Sequence, residues 1–286
     1  MRHARAAHAV VSTGDALYAL AGTGAGGVPV LEVERFDGRA WTPVTTLPGQ
    51  GLNAPAAAAL GRRVYVIGGF NTVTNVPSDR VYVYDAESGA WSEAAPLPAP
   101  RGGHGAAVLD GKIHVVGGGN SRSTIADHSA YDPAANAWRE LAPLPRAEGS
   151  PAVVVFEGRL YAIGGRSGPS DFGDVYVYDA AADRWTSGPA IEPRGTAGAV
   201  VHCGSLYLVG GESQARGESL AEVLRLDAGA AAWQTSIPMP TARNFAHAVP
   251  LGGAVYVVGG SPTPGRSHAS EGSAVVESFR AGCRRS

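Results

Sequence analysis

One pattern, stated six times, constrains this chain more than anything else in it. An apolar strand runs into a pair of glycines: "LYALAGTG" at 17, "VYVIGGF" at 64, "IHVVGGG" at 113, "LYAIGGR" at 160, "LYLVGGE" at 206 and "VYVVGGS" at 255. The second glycine falls at Gly22, Gly69, Gly118, Gly165, Gly211 and Gly260, a period of 46 to 49 residues, and only the first copy breaks the pair, with Ala21. All five tryptophans, Trp41, Trp91, Trp138, Trp185 and Trp233, follow 19 to 22 residues later. Self-similarity at such a period marks repeated supersecondary units that bury their faces against one another.

Each copy reads as four short strands. A small apolar strand such as "HGAAVL" meets a turn such as "DG" or "EG" and returns as the strand that ends in glycines. The third alternates, as in "DVYVYD", and stops at an aspartate able to cap the next turn. The fourth carries the tryptophan. Such a sheet cannot bury both faces alone, whereas six packed radially can, and closing the ring leaves few exposed edges. Crowding at the axis explains the alanine and glycine of the first strands, and the roomier rim explains the tryptophan.

The glycine pair, the "YD" turn, the spaced tryptophan and endings such as "PLPAPR" and "PMPTAR" together resemble the Kelch repeat over essentially the whole chain. The resemblance implies an all-β protein, a six-bladed Kelch-type β-propeller of four-stranded antiparallel blades. One propeller spans 1–286, with blades near 1–50, 51–99, 100–145, 146–191, 192–240 and 241–286. The last copy ends at "RAGCRRS" without a tryptophan strand, and the few residues before His8 are too short to supply one. The expectation is a three-stranded sixth blade, closed by packing against the first.

Composition narrows the function classes. A net charge of −2 gives no broad attraction to nucleic acid or to acidic membranes. No apolar run approaches the roughly 18 residues of a membrane span, and the start "MRHARAAHAVV" lacks the apolar core of a secretory signal. Cys203 and Cys283 form neither a metal-ligand spacing nor a disulfide framework, so a reduced, cytoplasmic, monomeric protein is expected.

The loops after the glycine pairs, among them "GFNTVTNVPSDR", "GRSGPSDFGD" and "GESQARGESLAE", are long and polar, whereas the turns at the other ends of the strands are short. Such loops on a rigid scaffold are where binding residues gather. Counting back 16 residues from each pair gives Arg5, Leu52, Arg101, Glu148, Arg194 and Arg243, and Arg122, Arg166, Arg216 and Arg266 lie on adjoining loops. One reading is a cationic funnel for a carboxylate or phosphate. The other is that the ring arginine belongs to the repeat and ties one blade to the next.

His104 shares a repeat phase with His8 and reads as an inner-strand residue or a ligand group. Phe70, Phe172 and Phe245, aromatics on polar loops, read as an apolar floor or as local packing. Asp171 with Asp174, Asp127 with His128, and His268 with Glu271 could supply acid–base groups, but none repeats at a ligand spacing, so no metal or cofactor is expected.

Among enzymes of similar fold, the copper radical oxidases need a cysteine crosslinked to tyrosine, which Cys203 and Cys283 are not placed to provide. The iron-binding stretch of the plant specifier proteins has no match here. The sialic-acid mutarotases share the blade number and an arginine-lined mouth but are exported. Adaptors of this family hold acidic peptides at such a mouth and carry further domains. The expected function is binding of an anionic small molecule or acidic peptide at the propeller mouth. The alternative is a metal-independent isomerase, lyase or cyclase using the same pocket.

Overall fold

Local chemistry sets the turns. Asp85, Asp132 and Asp179 each end a third strand, and one carboxylate oxygen of each accepts from the backbone N–H groups two and three residues on. That Asx geometry turns the chain into the fourth strand. The computed structural model describes residues 1–265 and 272–280. Arg266, His268, Glu271 and Cys283 lie outside them.

Repeated six times, this unit gives the expected propeller. Blade 1 comprises Ala9–Ser12, Leu17–Leu20, Glu32–Phe36 and Trp41–Thr46, paired antiparallel in that order. Blade 2 follows with Ala56–Leu60, Arg63–Ile67, Val81–Asp85 and Trp91–Ala94, and blade 3 with Gly105–Leu109, Lys112–Val116, His128–Asp132 and Ala137–Leu141. Blade 4 comprises Ala152–Phe156, Arg159–Ile163, Val175–Asp179 and Arg184–Ser187; blade 5 comprises Gly198–His202, Ser205–Val209, Val223–Asp227 and Gln234–Thr235. Blade 6 has three strands among the described residues, His247–Leu251, Ala254–Val258 and Val276–Phe279.

The first strands of all six blades line a central channel of about 530 Å³, walled mainly by alanine, valine and glycine. At the rim, Trp41, Trp91, Trp138 and Trp185 each lie against an aromatic residue of their own third strand, and the indoles of Trp91, Trp138, Trp185 and Trp233 donate back to the preceding blade. Trp138 Nε1–H donates to the Ala95 carbonyl at 2.8 Å, and Trp185 Nε1–H to that of Ala142 at 2.9 Å.

The glycine pair answers to two contacts at once. At Gly210 a Cβ would lie 2.6 Å from the Arg243 carbonyl of the next blade, and at Gly211 it would lie 2.6 Å from the Gly195 carbonyl of its own. Both have φ between +60° and +101°, open to glycine without penalty.

Blade 6 closes on blade 1 through an apolar seam in which Val249, Leu251 and Val258 pack against Val10, Leu17 and Phe36. The N-terminal segment reinforces it, since Arg5 N–H donates to Ser273 O at 3.1 Å. The expectation of reduced thiols fails: Cys203, in the first turn of blade 5, is disulfide-bonded. No helix among the described residues is long and apolar enough to cross a membrane.

Candidate functional site

Just before each first strand, one residue per blade turns into the left-handed region: Ala7, Ala54, Gly103, Ser150, Thr196 and Phe245, with φ between +46° and +60°. These six form a hoop around the axis. The N–H of Ala54 donates to Ala7 O at 2.7 Å, Gly103 to Ala54 at 2.8 Å, Ser150 to Gly103 at 2.6 Å, Thr196 to Ser150 at 3.3 Å and Phe245 to Thr196 at 3.0 Å. Across the seam, His247 Nε2 lies 2.7 Å from His8 O. The hoop narrows the axial opening to a cavity of about 80 Å³, lined by His8, His104, Ser150, Thr196, Phe245 and His247. Burial holds all three histidines neutral, His104 down to about 3.

The arginine ring does not face this opening. Arg5, Arg101, Arg194 and Arg243 are wholly buried, and their guanidiniums are spent on the frame. Arg5, Arg194 and Arg243 donate through Nη1 to the carbonyl 16 residues on, that of Ala21, Gly210 and Gly259, at 3.0, 3.5 and 2.7 Å. Arg101 binds the Asp127 carbonyl at 3.3 Å instead. Each also meets a carboxylate of the third-strand region: Glu34, Asp127, Glu222 and Glu277, at 3.5, 3.2, 2.7 and 2.8 Å. The spacing of 16 found in the sequence is therefore the hydrogen bond itself: each guanidinium ties strands of its own blade, while the arginine's backbone carbonyl accepts from the glycine pair of the preceding blade, from Gly260 to Arg5, Gly69 to Arg101, Gly165 to Arg194 and Gly211 to Arg243. His104 is likewise part of the frame; its ring packs over Gly68 of blade 2.

Blade 4 inverts the tie. Glu148 occupies the arginine position, is wholly buried, and accepts no hydrogen bond at either carboxylate oxygen. Burial pushes it up to about 8, although Arg146 lies 3.5 Å away. Arg146 also pairs with Asp174 and lies over the Phe172 ring, 3.8 Å from its centroid.

The loop arginines divide. Arg166 is bound to Glu212 of the neighbouring blade and lies over Phe245, 5.7 Å from the ring centroid. Asp171 accepts the Gln214 N–H at 2.5 Å, and burial raises both Asp171 and Glu212 above their ordinary range. Arg216 is paired with Glu218 at 3.0 Å and Glu222 at 3.4 Å. Arg122 is exposed on a turn closed by Asn120. Phe70 is half-buried in a two-residue ribbon with Asn53 and packs on Gly102. Among the described residues the mouth thus carries both charges, and its three phenylalanines pack locally.

Sequence reasoning missed Glu212, Arg146 and the hoop. Arg166 and Glu212 both follow a glycine pair directly, so opposite charges in one repeat column of successive blades were a usable signal. The hoop residues, from alanine to phenylalanine, share no side-chain chemistry.

Elsewhere on the loop face, Pro29 and Thr72 close on Gly51 from either side, joining the loops of blades 1 and 2. Val28, Val73 and Val76 stand exposed there at 62%, 70% and 55%. A groove of about 460 Å³ takes in Val76, together with Gln50, Leu52, Asn71 and Arg80. It opens at the blade where Leu52 replaces the ring arginine.

The fold and the repeat find relatives. The model of the KLHDC2/KLHL20/DRC7 Kelch-repeats domain matches residues 2–147 and 56–260. Kelch-like protein 35 of Mus musculus is 32% identical over 131 residues, 41% of this chain and 20% of that protein. Alpha-scruin of Limulus polyphemus is 33% identical over 123 residues, 41% of this chain and 13% of that one. The chain thus matches a fifth or less of the length of these relatives. Among solved structures, that of YjhT superposes with a TM-score of 0.82 at 16% identity, covering 99% of this chain and 96% of the other.

Proposed function

This chain belongs to the Kelch-repeat family, and on that premise we propose that it is a binding scaffold whose loop face holds a partner protein. The observation that carries this reading is the pair of exposed valines on one loop of blade 2, Val73 and Val76, with Val76 lining the groove of blades 1 and 2. Apolar side chains grouped on a rigid loop face are costly in water and become favourable under a partner. Arg122, exposed on the adjoining loop of blade 3, gives an acidic residue of the same partner a place to pair. The partner segment is thus apolar where it meets blades 1 and 2 and acidic toward blade 3.

The small-molecule enzyme reading draws less support. The axial cavity is narrow, the channel below it has apolar walls, and the histidines at its entrance are neutral. The test is quantitative recovery of bound proteins with wild type, with Val73→Asp/Val76→Asp, and with Glu157→Ala on the opposite face as control. The double variant should recover at least tenfold less of the same partner at an unchanged melting temperature. Equal recovery would sink the reading.

A further inference from the structure

Glu32 and Glu34 sit two residues apart on the third strand of blade 1, so their side chains leave the same face of the sheet. The N-terminal segment crosses that face on its way to blade 6, where Met1 N and Arg5 N–H donate to Ala274 O and Ser273 O at 3.2 and 3.1 Å. The crossing brings His3 Nδ1 to 3.0 Å from Glu32 Oε1 and 3.5 Å from Glu34 Oε1. All three atoms lie within 4.8 Å of one another.

We propose that His3, Glu32 and Glu34 bind a divalent cation of the zinc class, which clasps the N-terminal segment across the seam between blades 6 and 1.

The separations of 3.0 and 3.5 Å from His3 Nδ1 bracket what such an ion needs. Nitrogen and carboxylate ligands about 2.0–2.2 Å from a tetrahedral metal stand about 3.3–3.5 Å apart. Glu34 is wholly buried; its Oε2 faces Arg5 at 3.5 Å, and its Oε1 is the oxygen turned toward His3. Glu32 Oε1 is sealed from solvent, and its partner is His3 Nδ1 at 3.0 Å. A divalent ion between His3 Nδ1 and Glu32 Oε1 would meet Glu34 Oε1 as well.

The Arg2 and His3 N–H groups, donating to Glu34 Oε1 at 2.7 and 3.3 Å, hold that carboxylate in place. His3 is half exposed, which leaves an entry path and a fourth position for water. One imidazole with two carboxylates suits zinc or cobalt better than the all-oxygen shells of magnesium and calcium.

The experiment uses tag-free full-length protein stripped with chelator. Titration with ZnCl2 should show one site per chain, Co2+ should develop a tetrahedral visible spectrum, and Zn2+ should raise the melting temperature. His3→Ala and Glu32→Gln should each weaken Zn2+ at least tenfold and abolish the cobalt spectrum. His3 is at the surface, so His3→Ala should melt like wild type in chelator, which separates lost binding from lost folding. Absence of stoichiometric binding by wild type, or equal binding by His3→Ala, overturns the proposal.

Discussion

Arg243 donates through Nη1 to the carbonyl of Gly259, 2.7 Å away and 16 residues downstream. The same guanidinium reaches Val275 O at 3.1 Å and Glu277 at 2.8 Å, so one side chain stitches the second and third strands of blade 6. Removing it strands buried acceptors beside a carboxylate. Arg243→Ala should cost about 3–5 kcal/mol in denaturant unfolding. Arg216→Ala, at an exposed ion pair, should leave the midpoint nearly unmoved. A mild effect at Arg243 would mean that the tie is dispensable.

Glu148 makes stability fall as pH rises. Its folded value near 8 lies above the ordinary glutamate value of 4.5, so between these limits the folded state holds a proton that the unfolded state has released. Its contribution is complete below about 4.5 and is lost progressively up to about 8, at up to about 1.4 kcal/mol per pH unit. Glu148→Gln should remove that decline. Parallel pH profiles of wild type and variant would refute the assignment.

The buried pair His114 and His128 acts in the opposite direction. Their rings are linked through Nδ1 and Nε2 at 2.9 Å, and burial lowers them to about 4 and about 3. Below the ordinary 6.5 the unfolded chain takes up protons that the folded blade refuses, so this stability is present above 6.5 and lost on acidification. Five of the six blades place tyrosine where blade 3 has His114. His114→Tyr should therefore flatten, without abolishing, the acid limb between pH 6.5 and 4, as followed by circular dichroism.

Trp185 separates packing from hydrogen bonding at the rim. It is buried against Tyr178, and its Nε1–H donates to Ala142 O of blade 3. Trp185→Ala should cost about 3–5 kcal/mol, while Trp185→Phe, which keeps a ring but loses the donor, should cost about 1 kcal/mol. Neither should change partner recovery by the loop face.

The propeller was legible because its repeat is enforced by sterics that few residues satisfy. Only glycine fits comfortably against the Arg243 and Gly195 carbonyls at Gly210 and Gly211, so the requirement surfaces in the sequence. The site was less legible for a physical reason. An arginine tied to a carbonyl and an arginine open to a ligand are the same letter, and the difference lies in where Arg101 and Arg194 point. The N-terminal cluster was invisible for another reason, since His3 and Glu34 are 31 residues apart and meet only because the chain crosses the seam. Backbone hydrogen bonds at the hoop leave no side-chain signature at all.

That hoop has a consequence for the order in which the molecule assembles. Its links from Ala54 to Phe245 each join neighbouring blades, so they close loops of about one repeat and can form as the blades appear. The contact of His247 with His8 instead spans 239 residues. That step must wait for every blade, whereas each other link needs only its two neighbours. The propeller is thus a chain of local events with one long-range ending.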